Sequence, residues 1–288
     1  MRLTQFDQTR RYGVEIEAFG VDPEIVARAL RNEGIPCEVQ AYNHRTQGVW
    51  KIVSDASIQG PHPFELVSPP LRGHEGLETL RKVAKILQRL GVRVNRTCGF
   101  HVHHEAIDFE AKHLRNLIRL YARMEPTIDE AMPPSRRANR NRYCQSVRDY
   151  LTWRDNDRLL EGCQATDTVV YWLRARYYKL NLYSWLRYGT VEFRHHGGTT
   201  NPDKMVAWVV FTQMLVTKAR TSSRITYRER RAGYCRQNPR DLLAVDLGIH
   251  AYWRQVDSLL QWAIHYLAAR IRQHRLAART GVAIEEAA

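Results

Sequence analysis

Apolar positions recur along this 288-residue chain with two periods. Period-2 alternation predicts strands at 12–19, 49–54, 63–68, 99–105, 178–185 and 189–197. Helical spacing predicts five helices. The first opens at Asp22-Pro23-Glu24, which supplies a cap acceptor, a proline at the first helical position and an acid in the first turn; Gly34 closes it. A second covers 74–90 and ends at Gly91. A third runs from about 108 to 131, with Leu114, Leu117, Ile118 and Tyr121 at i, i+3, i+4 and i+7. A fourth starts at Asn201-Pro202 and turns Met205, Trp208, Val209, Thr212, Leu215 and Val216 inward; a last one spans roughly 252–279. The strands at 178–185 and 189–197, joined through Leu186-Arg187-Tyr188-Gly189, predict a hairpin. Strands and helices do not alternate strictly, so the expected class is α+β with a largely antiparallel sheet. Residues 133–168 are polar, arginine-rich and aperiodic, which predicts a lid or a long binding loop.

Three of the strands share one oddity. In Tyr12-Gly13-Val14-Glu15-Ile16-Glu17-Ala18 the two glutamates point to one face and Val14, Ile16 and Ala18 to the other. In Cys98-Gly99-Phe100-His101-Val102-His103 the two histidines share a face opposite Phe100 and Val102. In Thr190-Val191-Glu192-Phe193-Arg194-His195-His196 alternation puts Glu192, Arg194 and His196 on one face, and Val191, Phe193 and His195 on the other. Glu65, in Pro63-Phe64-Glu65-Leu66-Val67, is a fourth case. The apolar faces are made to pack on helices. The ionisable faces are costly to cover unless they stay wet or bind a cation. Glutamates with one or two imidazoles suit hard divalent cations such as Mg²⁺ or Mn²⁺. Arg194 among the acids points to a ligand that itself brings negative charge, such as phosphate. Each motif alone is common on a solvated strand; their convergence carries the reading. Like charges crowded on one face predict that removing Glu15 or Glu192 relieves repulsion.

Composition narrows the remaining classes. The chain is 44% hydrophobic and 26% charged, which excludes a disordered or fibrous protein. A chain of about 300 residues needs no disulfide or metal staple to fold. Mean hydropathy is −0.50, and no apolar run approaches the ~18–20 residues of a membrane span. The start, Met1 to Asp7, lacks the apolar stretch of a signal peptide. Five scattered cysteines without a CxxC pair read as reduced thiols. A cytoplasmic protein with no membrane partner is expected. Net charge is +14, and 37 of the 44 basic residues are arginine. Residues 1–100 hold only +3 of that charge. The surplus fits either an anionic partner or a solvated basic surface. No GxxxxGK[ST], GxGxxG, HExxH or GxSxG motif is present.

These strands, in this order, resemble the amidoligase family. That family consists of ATP-dependent carboxylate–amine ligases distantly similar to glutamine synthetase and glutamate–cysteine ligase. The series begins with Gly-Val-Glu-Ile-Glu at 13–17 and Trp50-Lys51-Ile52-Val53 with Asp55 and Ser57. It continues through Glu65-Leu66-Val67-Ser68-Pro69-Pro70-Leu71 and Cys98 to His103. Ser135-Arg136-Arg137, Asn141, Tyr143-Cys144 and Tyr178 to Leu182 follow, and Gly189 to Thr199 closes it. The resemblance spans about residues 12–220 and implies a catalytic domain over 1–220. Residues 221–288 read as a basic helical extension packed on the same domain. The fold implied is the saddle-shaped sheet of the glutamine synthetase type, with helices on its convex face. ATP and two or three Mg²⁺ or Mn²⁺ ions would lie on the concave face. By position, Glu15, Glu17, Glu65, His101 and Glu192 would be metal ligands, and Arg194 would contact the transferred phosphate. His103 would be a catalytic or supporting group and Asp55 the base for the incoming amine. Lys51, Arg137 and Asn181 would contact nucleotide or substrate. The substrates would be a carboxylate and an amine, on an amino acid, peptide or protein; an oligomer is compatible with the sequence. His195-His196-Gly197-Gly198 departs from the His-Gln-Gly-Thr-like turn common in the family.

Two other readings use the same residues. A metal-dependent hydrolase would reuse the Glu/His face without nucleotide. A nucleic-acid-binding module would use Arg136, Arg137, Arg140, Arg142, Arg224, Arg228, Arg230 and Arg231 with Tyr143, Tyr227 and Tyr234.

Overall fold

The period-2 segments assemble into one sheet of seven strands among the described residues. These are β1 (Tyr12–Ala18), β2 (Cys37–Val39), β3 (Trp50–Val53), β4 (Phe64–Val67), β5 (Gly99–Glu105), β6 (Leu180–Asn181) and β7 (Thr190–Gly197). Their order is β2-β3-β4-β1-β5-β7-β6. Every neighbouring pair is antiparallel except β2 with β3. The computed structural model describes residues 3–41, 43, 45–228 and 238–281. Arg230, Arg231, Tyr234 and Cys235 of the sequence reading, and residues 282–288 of the C-terminal segment, lie outside them.

Helices pack around this sheet. They are α1 (Pro23–Asn32), α2 (Gly73–Arg89), α3 (Ala111–Ala131), α4 (Val147–Thr152), α5 (Asn156–Gly162), α6 (Thr166–Trp172), α7 (Tyr183–Tyr188), α8 (Pro202–Thr221), α9 (Pro239–Asp246) and α10 (Ser258–Thr280). The predicted caps form. Asp22 accepts the Glu24 N–H at 2.8 Å, and Asn201 accepts those of Asp203 and Lys204 at 3.0 Å. Helix α8 packs against β5 and is flanked by α2, α3 and α10. All of residues 205–216 are buried. One core runs from Leu3 to Ile271, so the elements after residue 238 share it.

Four expectations change. The segment 178–185 pairs with β7 only through Leu180 and Asn181. There the Asn181 side chain accepts the Tyr183 N–H at 2.9 Å and starts α7, so the connection is a helical turn instead of a hairpin. Gly189, at φ +64°, ends that turn in the left-handed conformation glycine tolerates best. Residues 133–168 hold a 3-10 turn at Pro134–Arg136 and the helices α4 and α5, with α6 beginning at Thr166. Arg119 of α3 ties α5 down through Asp157 at 2.7 Å and Glu161 at 2.6 Å. The last helix starts at Ser258, capped by Asp257, after a separate 3-10 stretch at His250–Gln255. Strand β2 carries only three residues, too few for a periodic signal.

The fourth change bears on the site. Phe100 stands opposite His196 and Val102 opposite Phe193, so Arg194 and His195 share the place across from His101. This is a β-bulge, and its extra residue resets the alternation. Arg194 keeps the polar face, but His196 turns to the helix side, against Trp208 and the edge of Phe100. The expectation that His196 shares a face with Glu192 is therefore corrected.

His104 and His195 are wholly buried on this side of the sheet. Burial lowers their imidazoles from the ordinary 6.5 to about 3 and about 4. Both are neutral in the folded protein, whereas the unfolded chain protonates them below pH 6.5. Stability is therefore complete above pH 6.5 and is lost as pH falls toward the folded values. The expected loss is roughly 2 kcal/mol per histidine between pH 7.5 and 5. Urea unfolding across that range measures it, and a flat midpoint would show that neither histidine is held neutral.

Candidate functional site

Register decides which side chains meet on the polar face. Glu17 on β1 stands opposite Glu65 on β4, and Glu15 opposite His101 on β5. His103 stands opposite Glu192 on β7, and Glu192 opposite Asn181 on β6. Directly opposed residues on one face approach closely enough to interact, so the four central strands and β6 bring these groups into one row. Asp55, just after β3, joins at the Glu65 end.

Three overlapping groups result. Donor atoms of Glu15, His103 and Glu192 lie within 4.8 Å of one another; so do those of Glu15, Glu65 and His101, and those of Glu17, Asp55 and Glu65. Glu15 and Glu65 each belong to two groups. His101 Nδ1 is 3.1 Å from Glu15 and 3.6 Å from Glu192, while its Nε2 is 3.6 Å from Glu17. His103 Nε2 is 3.2 Å from Glu15 and 4.0 Å from Glu192. Gly99 leaves room for this packing. A Cβ there would stand 2.4 Å from His101 Nε2, and the Gly99 N–H donates to Glu17 at 2.5 Å.

The charges are unequally compensated. Burial opposes charge on Glu15, yet His103 and His101 outweigh it and hold the carboxyl well below its usual range. Burial also opposes charge on Glu192, and Arg194 with His103 again prevails. Burial works against His103 as well, but Glu15 and Glu192 raise its imidazole. Glu65 is the exception: burial, then Glu15, Glu17 and Asp55, push it well above its ordinary value. Arg194 contacts Glu192, which Asn181 holds from the other side at 2.5 Å.

A groove of about 770 Å³ runs over this row. Its floor includes Glu17, His101 and Glu192, and its rim Tyr143, Arg176 and Tyr177. A smaller compartment of about 230 Å³ shares Glu15, Glu65, His103 and Tyr188 with it and is closed by Val49, Val67 and Pro70.

Of the residues selected from sequence, Glu15, Glu17, Asp55, Glu65, His101, His103, Asn181, Glu192 and Arg194 all line the larger groove. Lys51 lines the smaller compartment. Its ammonium donates to the carbonyls of Asn43 and Arg45 and to the Asn43 side chain, at 2.8–3.1 Å. Those bonds occupy all three of its protons on its own loop. Arg137 donates to the Met132 carbonyl at 2.8 Å and lies outside the lining of both compartments. Its neighbour Arg136, buried and donating to the Cys98 carbonyl at 2.5 Å, lines the groove instead. Thr190 was missed. Its hydroxyl is 3.1 Å from His103 Nδ1, and its place two residues before Glu192 on β7 was the available signal.

Residues 8–216 match the family described as "Putative amidoligase enzyme". The chain belongs to that family. It is similar to a solved structure described as "Crystal structure of novel glutamine synthase homolog", at 15% identity and a TM-score of 0.46, covering 95% of this chain and 68% of the other. Comparison with curated proteins gives no match. Among the described residues no helix is long and apolar enough to cross a membrane.

The carboxylate row makes a directional prediction. Glu65 has a folded value raised above its unfolded one, so its charge costs stability at neutral pH and increasingly so as pH rises. Glu65→Gln is expected to raise the melting temperature of the protein in chelator. Glu15→Gln and Glu192→Gln are expected to lower it, because both carboxylates are held charged by His and Arg partners; this corrects the expectation that removing either one relieves repulsion. Differential scanning calorimetry at pH 7.5 compares the three; a fall with Glu65→Gln would contradict the assignment of strain to Glu65.

Proposed function

We propose that this protein is an ATP-dependent carboxylate–amine ligase working through an acyl phosphate. The observation that carries the reading is the row of three overlapping Glu/His groups beside Arg194. Those residues fit divalent cations. The donors are mostly hard carboxylate oxygens, with imidazoles that suit Mn²⁺ as well as Mg²⁺. His103 Nε2 is buried and faces Glu15 at 3.2 Å and Glu192 at 4.0 Å. Thr190 against Nδ1 leaves that nitrogen free as a ligand. Glu15, Glu65, His101, His103 and Glu192, with Glu17 and Asp55, would hold the ions. Bound there, Mg²⁺ or Mn²⁺ neutralises phosphate charge and polarises the phosphoryl group.

The overall reaction is transfer of the ATP γ-phosphoryl group to a substrate carboxylate, releasing ADP, then attack of an amine on the acyl carbon with loss of phosphate. Phosphoryl transfer needs positioning and charge stabilisation more than covalent help. Arg194 supplies a fixed guanidinium at the groove floor, held by Glu192, with Asn181 fixing Glu192 in turn. Tyr143, Tyr177 and Tyr188 give the groove aromatic walls, which helps to exclude water. The amine must lose a proton before or during attack. Asp55, at the open end of the row, is the carboxylate we assign to that task when it is not engaged with an ion beside Glu17 and Glu65.

Thermal melting with Mg²⁺ or Mn²⁺, with and without ATP, tests the reading. A ligand at ~100 times its dissociation constant adds about 2.7 kcal/mol, a shift of a few degrees. The expected result is a shift that requires cation and ATP together and disappears in Glu15→Gln and in Glu192→Gln. A shift with cation alone, unchanged by ATP, would favour a metal-dependent hydrolase. No shift from either would remove the ligase reading.

A further inference from the structure

Behind Arg194, on the helix side of the sheet, lies a second charged cluster that the chemistry above does not use. The Lys179 ammonium, wholly buried, donates to Glu125 at 2.8 Å and to Asp129 at 2.6 Å. Asp129 also lies 2.7 Å from His195 Nε2, and Tyr121 Oη lies 2.7 Å from His195 Nδ1. A carboxylate can only accept, so Nε2 carries the proton and the Tyr121 hydroxyl donates to Nδ1. A cluster of this kind is expensive to take out of water.

What it grips is the bulge. The Lys179 carbonyl accepts the Arg194 N–H at 2.8 Å, and the Lys179 ammonium reaches the His195 ring through Asp129. Both residues of the bulge are therefore tied to one lysine, Arg194 by main chain and His195 by side chain. The same groups hold the groove rim. The Lys179 N–H donates to the Gln145 carbonyl at 2.9 Å. Glu125 accepts the Arg148 N–H, and Asp129 the Ala138 N–H, each at 2.9 Å. The rim segment between those anchors carries Tyr143, whose carbonyl accepts from Arg194 Nε at 3.4 Å.

We propose that Lys179, Asp129 and His195 are positioning residues that aim Arg194 at the bound phosphate. The proposal rests on the phosphate-contacting role given to Arg194 above. Without the cluster, the bulge can relax toward regular pairing, and the guanidinium leaves its place beside Glu192.

Lys179→Met is the obvious variant, but it strands the buried carboxylate of Glu125 and the half-buried one of Asp129 and can unfold the protein. His195→Gln and Tyr121→Phe are milder. The measurement is the affinity of the full-length protein for a non-hydrolysable ATP analogue with Mg²⁺, by isothermal titration, in a cycle with Arg194→Gln. Arg194→Gln is expected to weaken binding about tenfold or more, as for a lost charge-assisted contact. His195→Gln should approach the same loss, Tyr121→Phe should cause a smaller one, and His195→Gln should add nothing once Arg194→Gln is present. A lower melting temperature with native affinity in His195→Gln, or losses that simply add, would overturn the positioning role. Native affinity in Arg194→Gln would instead overturn the phosphate role of Arg194, and this proposal with it.

Discussion

Four glutamates stand together on one face of this sheet because their strands cannot turn over. Val14, Ile16, Phe100, Val102, Val191 and Phe193 are buried against the helices. A one-residue slip would exchange them for glutamates and histidines. The hydrophobic layer therefore enforces an arrangement that electrostatics alone would disperse. Antiparallel register then sets which groups meet: acid against acid at Glu17 and Glu65, but acid against imidazole at Glu15 and His101 and at Glu192 and His103.

That pairing divides the row into a compensated end and an uncompensated one. Near β7, imidazoles and Arg194 balance the carboxylates. Near β4, Glu17, Glu65 and Asp55 face one another with little positive charge between them. Positive charge would relieve the second end most, whereas Arg194 leaves the first end better matched to an anionic group. The arginine surplus has a partly internal explanation. Arg10 joins Asp108, Arg119 joins Asp157 and Glu161, and Arg275 joins Glu130, each linking segments far apart in sequence. Those guanidinium groups are structural ties, and the acids that match them are already counted in the net charge of +14.

The faces of β1, β4 and β5 were legible because they rest only on alternation, which holds wherever pairing is regular. His196 was misplaced because alternation cannot foresee a bulge, which depends on what lies beneath the sheet. The hairpin expected at 178–197 failed for a related reason: Leu180 and Leu182 alternate as a strand would, but the Asn181 side chain captures a backbone N–H and starts a helix. Lys51 and Arg137 share a different difficulty. Sequence position places a long cationic side chain near a groove but does not say where its tip goes. Lys51 bonds its own loop and Arg137 a main-chain carbonyl, while Arg136, one residue away, faces inward.

Helix α8 has twelve consecutive buried residues, 205–216, and so presents no side of itself to water along that stretch. The family match ends at residue 216, inside this helix, and the layer that closes over it includes α10, more than forty residues further along. A chain trimmed to the matched span would end on an uncovered pillar of valine, tryptophan and leucine. The boundary by which relatives are recognised is thus not one at which this molecule can be divided. The matched span carries the site-bearing sheet, whereas the core over it closes only with α10.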